Sequence, residues 1–327
     1  MGLKKLVVEL TSLCNLSCEY CFKELGGSHL DIALLKRILQ EARTLGASKI
    51  TFTGGEASLY PQLDEAFRAA ESLGYRYALV TNGWHFPRIL PLLDSTRRAL
   101  NHIFFSLDSA TETFHDRVRG TGSFQRISNA TDLCQTYGLP FSFLVVLNRK
   151  NSGEMEQLAG LAAQRGAVGL RFGHLLPTSE LQDLQLSLSA EERRAAEAEA
   201  RRLNSTVDIE VSFSAAASNN VPGACCEAFA GQTVSIDCHG RISLCCQLAD
   251  YRGAINNKDI VADLNTTDFA HGYVEFLGRA LGQRTRRDKA LAMGVALAEH
   301  PCDFCISTME KTTWRKGLLS KNIKAHV

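Results

Sequence analysis

Residues 13–22 read LCNLSCEYCF and place three cysteines in one short loop. The cysteines are Cys14, Cys18 and Cys21. The loop directly follows an apolar run at residues 6–10 that is typical of a β-strand. Three thiolates from one loop can hold three irons of a cubane iron–sulfur cluster, which leaves the fourth iron open to a substrate or cofactor. A zinc knuckle is the alternative, but it needs a fourth ligand close by, and neither His29 nor Cys134 has that spacing.

Short apolar runs alternate with longer amphipathic runs on both sides of this loop. The predicted strands are 6–10, 50–53, 77–81, 103–106, 141–147 and 169–172. The predicted helices are 32–45, 62–73, 124–137, 153–165 and 189–204. Strands that alternate with helices form a parallel sheet, and six such units form an open version of the eight-unit barrel. We therefore predict an α/β fold, a partial (β/α)6 barrel, for residues 1–205.

The composition excludes several classes of protein. The chain has 327 residues, 36 basic against 35 acidic, and its basic pairs are scattered, which argues against a nucleic-acid or membrane-surface binder. No apolar run reaches the roughly 18 residues of a membrane span, and no signal peptide precedes the first strand, so we predict a cytoplasmic protein. Eleven cysteines in a reducing compartment favour metal ligands or catalysis over disulfides.

The cysteine spacing resembles the signature of the radical S-adenosylmethionine (SAM) superfamily. That signature is C-x3-C-x2-C with an aromatic residue before the last cysteine, a position that Tyr20 occupies here. Residues 53–56 (TGGE) close the second predicted strand and resemble the family's Gly-Gly-Glu turn. Arg119-Gly120, with Phe124 just beyond, also matches a stretch that recurs in the family. The resemblance covers about residues 5–175.

The resemblance implies a SAM site at the carboxyl ends of the barrel strands. In this family an electron from the reduced cluster cleaves SAM, and the resulting 5′-deoxyadenosyl radical removes hydrogen from a C–H bond. We predict these cofactor-binding residues: Tyr20, Phe22, Gly54, Gly55, Glu56, Asn82, Ser106, Asp108 and Arg171. The polar residues at strand ends have an alternative role as turn or cap residues. Arg171 is alternatively a surface arginine or a partner for a substrate carboxylate.

A second group of cysteines follows residue 205. Cys226 is followed by thirteen residues, then Gly240, four residues and Cys245, a pattern that resembles the opening of SPASM and twitch auxiliary domains. In such domains a β-hairpin carries the cysteines, and residues 233–236 and 241–244 alternate suitably for its two strands. We therefore predict that residues 206–327 form an auxiliary domain.

Cys302 and Cys305 add a C-x2-C pair, so that Cys226, Cys245, Cys302 and Cys305 would saturate one auxiliary [4Fe–4S] cluster. No cysteine follows Cys305, which favours one auxiliary cluster over two. Zinc bound by the same thiolates is the alternative. Three further cysteines stay open as ligands, buried thiols or hydrogen donors to a substrate radical: Cys225, Cys238 and Cys246.

These features predict a radical SAM tailoring enzyme, an oxidoreductase that acts on a natural-product precursor. Its partners would be a sugar, cyclitol or peptide substrate and a reductant such as flavodoxin or ferredoxin. The first strand begins close to residue 1, so we expect no leader-binding domain ahead of it. Oxidation or a new bond is the expected outcome, and epimerisation with a cysteine donor is the alternative. Two other functional classes are open: an activating enzyme for a glycyl-radical partner and a non-enzymatic electron carrier. An electron carrier would leave the Gly54–Glu56 turn unexplained.

Overall fold

The computed structural model describes residues 2–175, 185–213, 226–248 and 258–310. The strands are β1 (Lys5–Glu9), β2 (Lys49–Thr53), β3 (Arg76–Thr81), β4 (Leu100–Ser106), β5 (Phe141–Leu147), β6 (Gly169–His174), β7 (Glu210–Phe213), β8 (Thr233–Ile236), β9 (Arg241–Ser243) and β10 (Ile260–Asp263). The α-helices are α1 (Ile32–Thr44), α2 (Leu63–Ser72), α3 (Phe86–Ser95), α4 (Glu112–Arg119), α5 (Ser123–Tyr137), α6 (Met155–Gln164), α7 (Ala190–Asn204), α8 (Phe269–Ala292) and α9 (Pro301–Thr308). Short 3₁₀ turns cover Ala57–Leu59, Ser152–Glu154 and Ala296–Glu299.

In the described residues the strands form one ten-stranded sheet in the order β10-β9-β8-β1-β2-β3-β4-β5-β6-β7. Strands β1 to β7 pair in parallel with their neighbours along the chain, as expected for strands joined by helices. β8 pairs in parallel with the free edge of β1, and β9 and β10 continue the sheet in antiparallel fashion. The predicted α/β fold and the predicted hairpin are confirmed. Because the strands are parallel, their carboxyl ends lie at one edge.

The sheet is larger than the six predicted strands, since β7 and β8 extend it at its two ends. β7 was missed because its four residues give a weak signal in sequence, whereas β8 was predicted as a hairpin strand and only its pairing with β1 was not. Sequence reasoning also missed α3 and α8. α3 contains Pro91, which breaks the helical pattern, and α8 contains three glycines and a buried stripe that ends in the polar residues Gln283 and Arg287. The boundary near residue 205 stays a prediction.

The first helix shows why the sequence folds as predicted. Asp31 caps α1 by accepting a hydrogen bond from the Leu34 amide at 2.8 Å, and buried residues such as Ile38 and Leu39 lie on one stripe. Ser189 and Glu192 form the predicted capping box at the start of α7.

The two faces of the sheet differ in chemistry because side chains alternate along a strand. On β1, Leu6 and Val8 are fully buried in the hydrophobic core beneath the helices. Lys5 and Glu9 point to the opposite face, which we call the inner face. Arg171 occupies the same face of β6, between buried Leu170 and Phe172. The inner face therefore carries charged side chains among apolar ones, and it is the face on which a ligand can bind.

Candidate active site

The cysteine loop leaves β1 and is closed on itself by backbone hydrogen bonds. Thr11 forms an isolated antiparallel bridge with His29, and the Ser12 amide donates to the Ser28 carbonyl at 2.9 Å. Within the loop, the Cys21 amide donates to the Cys18 carbonyl at 3.0 Å. These bonds hold the loop at the carboxyl edge of the sheet.

Gly54 and Gly55 lie directly against this loop. The Gly55 amide donates to the Thr11 carbonyl at 2.7 Å, and the next amide, of Glu56, donates to the Leu13 carbonyl at 2.8 Å. A Cβ atom at Gly54 would lie 2.4 Å from the Thr11 carbonyl oxygen, and one at Gly55 would lie 2.4 Å from that of Leu13. The sequence predicted that the glycines admit a ligand. The structure shows that they admit the backbone of the cysteine loop, and their contact with a ligand stays a prediction.

Glu56 joins the ends of two strands. Its side chain is 2% exposed, and it accepts hydrogen bonds from Ser58 N at 3.0 Å, Thr81 Oγ1 at 2.6 Å and Asn82 N at 2.7 Å. The Asn82 amide group donates in turn to Asn15 Oδ1 in the cysteine loop at 2.9 Å. Glu56 and Asn82 therefore fix the loop to β2 and β3, and their contact with SAM stays a prediction.

Asp108 forms a buried network with Tyr20 and Arg119. The carboxylate is 0% exposed, and its Oδ2 accepts hydrogen bonds from Tyr20 Oη and Arg119 Nε, each at 2.5 Å. The guanidinium also donates to Tyr20 Oη, and its Nη1 lies 3.9 Å from Cys18 Sγ. Burial raises the pKa of Tyr20 well above its ordinary value, so the phenol keeps the proton that it donates. Asp108 thus acts on the cysteine loop through Tyr20 and Arg119, and sequence reasoning had not assigned Arg119 to the site.

The donor set of the loop fits an iron–sulfur cluster. All three cysteines are free thiols of intermediate exposure. Burial raises the pKa of Cys14 to about 12 and also raises that of Cys18, although Arg119 opposes the shift at Cys18. Thiols in such surroundings become thiolates when a metal supplies the positive charge. In the described ranges, no three His, Cys, Asp or Glu side chains converge as they would on one metal ion. The thiolates of a cubane each bind a different iron and so need not converge in that way.

The second group of cysteines comes from two distant segments of the chain. Cys226 lies ahead of β8, Cys245 follows β9, and Cys302 and Cys305 lie on α9. Burial and the neighbouring thiols Cys305 and Cys226 raise the pKa of Cys302 well above its ordinary value. Burial, with Cys226 adding to the effect, raises that of Cys305 to about 12. The fold therefore brings these thiols close enough to influence each other's charge.

The spare cysteines have different surroundings. Cys238 is 1% exposed in the turn between β8 and β9, and Cys134 is buried in the core. A hydrogen bond from the Cys245 thiol lowers the pKa of Cys246 to about 6 against the opposing effect of burial, and Lys23 lowers it further. Cys225 lies outside the described residues.

Lys23 connects the two cysteine groups. Its ammonium pairs with the Glu9 carboxylate at the end of β1 and donates to the Cys246 carbonyl at 3.3 Å. Phe22, which precedes it, packs against the core with the Lys23 ammonium over its ring. No sequence motif pointed to Lys23, because its partner Cys246 lies 223 residues away along the chain.

Polar side chains continue along the inner face behind the loop. The Arg171 guanidinium lies 5.4 Å from the centre of the Phe104 ring, and half-buried Ser106 is two residues farther along β4. His102 contacts Ser142 Oγ at 2.7 Å, and burial, with Arg171 adding to the effect, lowers the pKa of His102 to about 4. The inner face near Arg171 thus presents a guanidinium and a neutral imidazole to a ligand.

An ion pair attaches the auxiliary cysteines to the barrel. Arg193 of α7 contacts the Asp303 carboxylate, between Cys302 and Cys305, at 2.7 Å. His174, at the end of β6, contacts Glu197 of α7 at 3.1 Å and lies against the His300 ring. His174 therefore has structural contacts rather than an exposed position at the edge of the site.

Residues 8–162 match the family described as the radical SAM superfamily. Residues 8–162 are therefore a radical SAM domain, which makes up a little under half of the chain. The cofactors of a radical SAM protein are a [4Fe–4S] cluster and SAM, as the cysteine motif predicts. No helix among the described residues is long and apolar enough to cross a lipid bilayer.

Curated relatives match about half of the chain. The PqqA peptide cyclase of Gluconobacter oxydans is 32% identical over 175 residues, which cover 52% of this chain and 48% of that protein. The mycofactocin maturase MftC of Mycobacterium tuberculosis is 30% identical over 188 residues, which cover 55% and 46%. The chain therefore spans about half the length of the curated relatives that it matches.

Solved structures share the fold over more of the chain. Streptococcus suis SuiB bound to its precursor peptide SuiA has a TM-score of 0.68 at 13% identity and covers 84% of this chain and 65% of its own. AnSMEcpe with bound AdoMet has a TM-score of 0.68 at 14% identity and covers 94% and 95%. At these identities the likeness shows the fold, including its C-terminal part.

Proposed function

We propose that the chain is a radical SAM enzyme that oxidises a peptide, with one auxiliary [4Fe–4S] cluster beside the SAM site. The observation that carries this proposal is the connection made by Lys23, which contacts both Glu9, at the end of β1 next to the cysteine loop, and the Cys246 carbonyl of the auxiliary segment. A second redox group so placed is suited to take the electron that a substrate radical releases.

A peptide substrate is supported by the comparisons. The curated relatives include a peptide cyclase, and SuiB was solved with a precursor peptide. These relatives favour a peptide over the sugar or cyclitol substrate that was expected from the position of the first strand. The polar inner face around Arg171 and His102 offers hydrogen-bonding and charged groups for a polar chain.

The protein's own residues would position and enclose the cofactors. Cys14, Cys18 and Cys21 would hold the first cluster, which together with SAM supplies hydrogen abstraction. Gly54 and Gly55 hold the backbone of that loop in register, and Arg119 places a positive charge beside Cys18. Cys226, Cys245, Cys302 and Cys305 would hold the auxiliary cluster, with Arg193 fixing the helix that carries the last two.

Iron content tests whether two clusters bind. Anaerobically reconstituted protein is expected to hold about eight irons per chain, and changing Cys14, Cys18 and Cys21 together to Ala should leave about four. Cys134→Ala removes a buried thiol that belongs to neither group and serves as the control. Stoichiometric zinc beside about four irons in protein purified without oxygen would refute the auxiliary cluster.

Solvent deuterium separates oxidation from epimerisation. In an oxidation the product is two hydrogens lighter and takes up no deuterium at the reacting carbon, because the substrate radical loses an electron and a proton. In an epimerisation an exchangeable thiol returns a hydrogen, so product made in deuterium oxide gains one mass unit.

We expect oxidation, because Cys238 is only 1% exposed and a buried spare thiol is common without being a hydrogen donor. Mass spectrometry of the product decides the question. Two results together would establish epimerisation instead. One is uptake of deuterium into the product. The other is loss of product, while SAM cleavage continues, in one of the variants Cys225→Ala, Cys238→Ala or Cys246→Ala.

A further inference from the structure

A basic groove of about 480 Å³ runs beside α8 on the surface of the auxiliary region. The charged side chains that line it, Lys258, Arg279 and Arg286, are all positive and all exposed. Arg279 donates to the Lys258 carbonyl at 3.0 Å, and Glu310 pairs with the Lys258 ammonium from outside the groove lining. Within the described residues, Arg286 has no hydrogen bond or ion pair. Among the described residues the lining presents three cations, one of them paired with Glu310, and this excess of positive charge favours an acidic ligand.

The floor of this groove lies next to the auxiliary cysteines. Leu244 lines it and directly precedes Cys245, and Met309 lines it and donates its amide to the Cys305 carbonyl at 2.9 Å. Gln283, a third lining residue, donates to Thr308 Oγ1, and its hydrogen bond to the Cys305 thiol opposes the rise in the pKa of that thiol. Residues that line the groove therefore adjoin or contact two of the predicted cluster ligands, Cys245 and Cys305.

We propose that the groove docks an acidic one-electron carrier protein, of the flavodoxin or ferredoxin class, over the auxiliary site. This proposal rests on the proposed function, which requires a redox group at these cysteines. SAM cleavage consumes one electron and oxidation of the substrate radical releases one electron and one proton, so the electrons balance over a turnover. The carrier supplies the electron for the first SAM cleavage. It then accepts the electron that the substrate radical releases and returns it for the next cleavage.

A protein carrier fits the groove better than a substrate peptide does. Electron transfer weakens steeply with distance, and the groove brings the surface close to Cys245 and Cys305. Exposed cations steer an acidic partner to its site and give a weak, salt-sensitive contact, which suits a carrier that must dissociate. The predicted substrate site, in contrast, is on the inner face near Arg171.

Charge reversal tests the docking surface. Calorimetry is used to measure the affinity of the reconstituted protein for an oxidised acidic flavodoxin at low and high salt. The double variant Arg279→Glu/Arg286→Glu is expected to raise Kd by about tenfold or more at low salt, and high salt should remove most of the difference. The matched control is Arg68→Glu/Arg97→Glu, which reverses the same number of exposed charges elsewhere and should leave Kd within about twofold.

Equal weakening in both double variants, or none in the groove variant, would overturn the proposal. An acidic glutamate-rich peptide that binds as tightly as flavodoxin and loses binding in the groove variant would assign the groove to peptide recognition instead. Thermal unfolding of each variant shows that a lost affinity is not a lost fold.

A second arm separates this proposal from the proposed function. Reduced flavodoxin is mixed with the Cys14→Ala/Cys18→Ala/Cys21→Ala variant, in which only the auxiliary cluster can accept an electron, and flavodoxin oxidation is followed by absorbance. Charge reversal in the groove should slow this oxidation by about tenfold. An unchanged rate would overturn the docking proposal. A variant without iron would refute the auxiliary cluster, while the calorimetry would still report whether the groove binds the carrier.

Discussion

Cleavage of SAM to 5′-deoxyadenosine under dithionite is expected to fall to background in Cys18→Ala and to continue in Cys305→Ala. Cys18 lies in the loop that carries the radical SAM motif, with Arg119 Nη1 3.9 Å from its sulfur, and losing one of three ligands destabilises the only cluster with a free iron. Cys305 lies on α9 in the second group, which is not expected to contact SAM. Chromatography of anaerobic reactions measures both variants.

Cys134→Ala is the matched control, since it removes a buried thiol outside both groups. Product formation, unlike SAM cleavage, should be lost in both Cys18→Ala and Cys305→Ala. If cleavage is lost equally in both variants while their circular dichroism spectra match that of the parent, the two cysteine groups do not have the separate roles assigned to them.

Gly55→Ala is expected to release the cysteine loop from the sheet. The added Cβ would lie 2.4 Å from the Leu13 carbonyl oxygen and 2.9 Å from that of Ser12, and backbone atoms cannot rotate away as a side chain can. The hydrogen bonds from Gly55 to Thr11 and from Glu56 to Leu13 must then lengthen or break. We expect a stability loss of about 1–3 kcal/mol. Iron should fall from about eight to about four per chain.

Gly160→Ala is the control for this variant. Gly160 lies in α6 with no atom within 4 Å of the position of an added Cβ, so the substitution should leave iron content unchanged and stabilise the helix by about 0.5–1 kcal/mol. Urea unfolding and iron analysis measure the two variants. Full iron content and SAM binding in Gly55→Ala would show that the contact between the turn and the loop is dispensable.

Much of the fold was predictable because its cause is local. The alternation of apolar runs with amphipathic runs predicted β1 to β6 in parallel, and Asp31 and Ser189 marked helix starts through side chains that cap amides three residues away. α3 was missed because Pro91 interrupts its pattern, and β7 because four residues carry little periodicity. β10, the four-residue strand at the other edge of the sheet, was missed for the same reason.

The sequence alone predicted the radical SAM motif and its loop of three cysteines, because thiolates at fixed short spacing act within one loop. Only the tertiary structure decided what surrounds them. Asp108 meets Tyr20 and Arg119 across distant parts of the chain, and Lys23 reaches Cys246 over 223 residues. Such contacts depend on how strands and loops stack at one edge of the sheet. No local sequence pattern predicts these contacts. Each of the side chains could equally well be exposed to solvent, and only the folded sheet brings the two partners together.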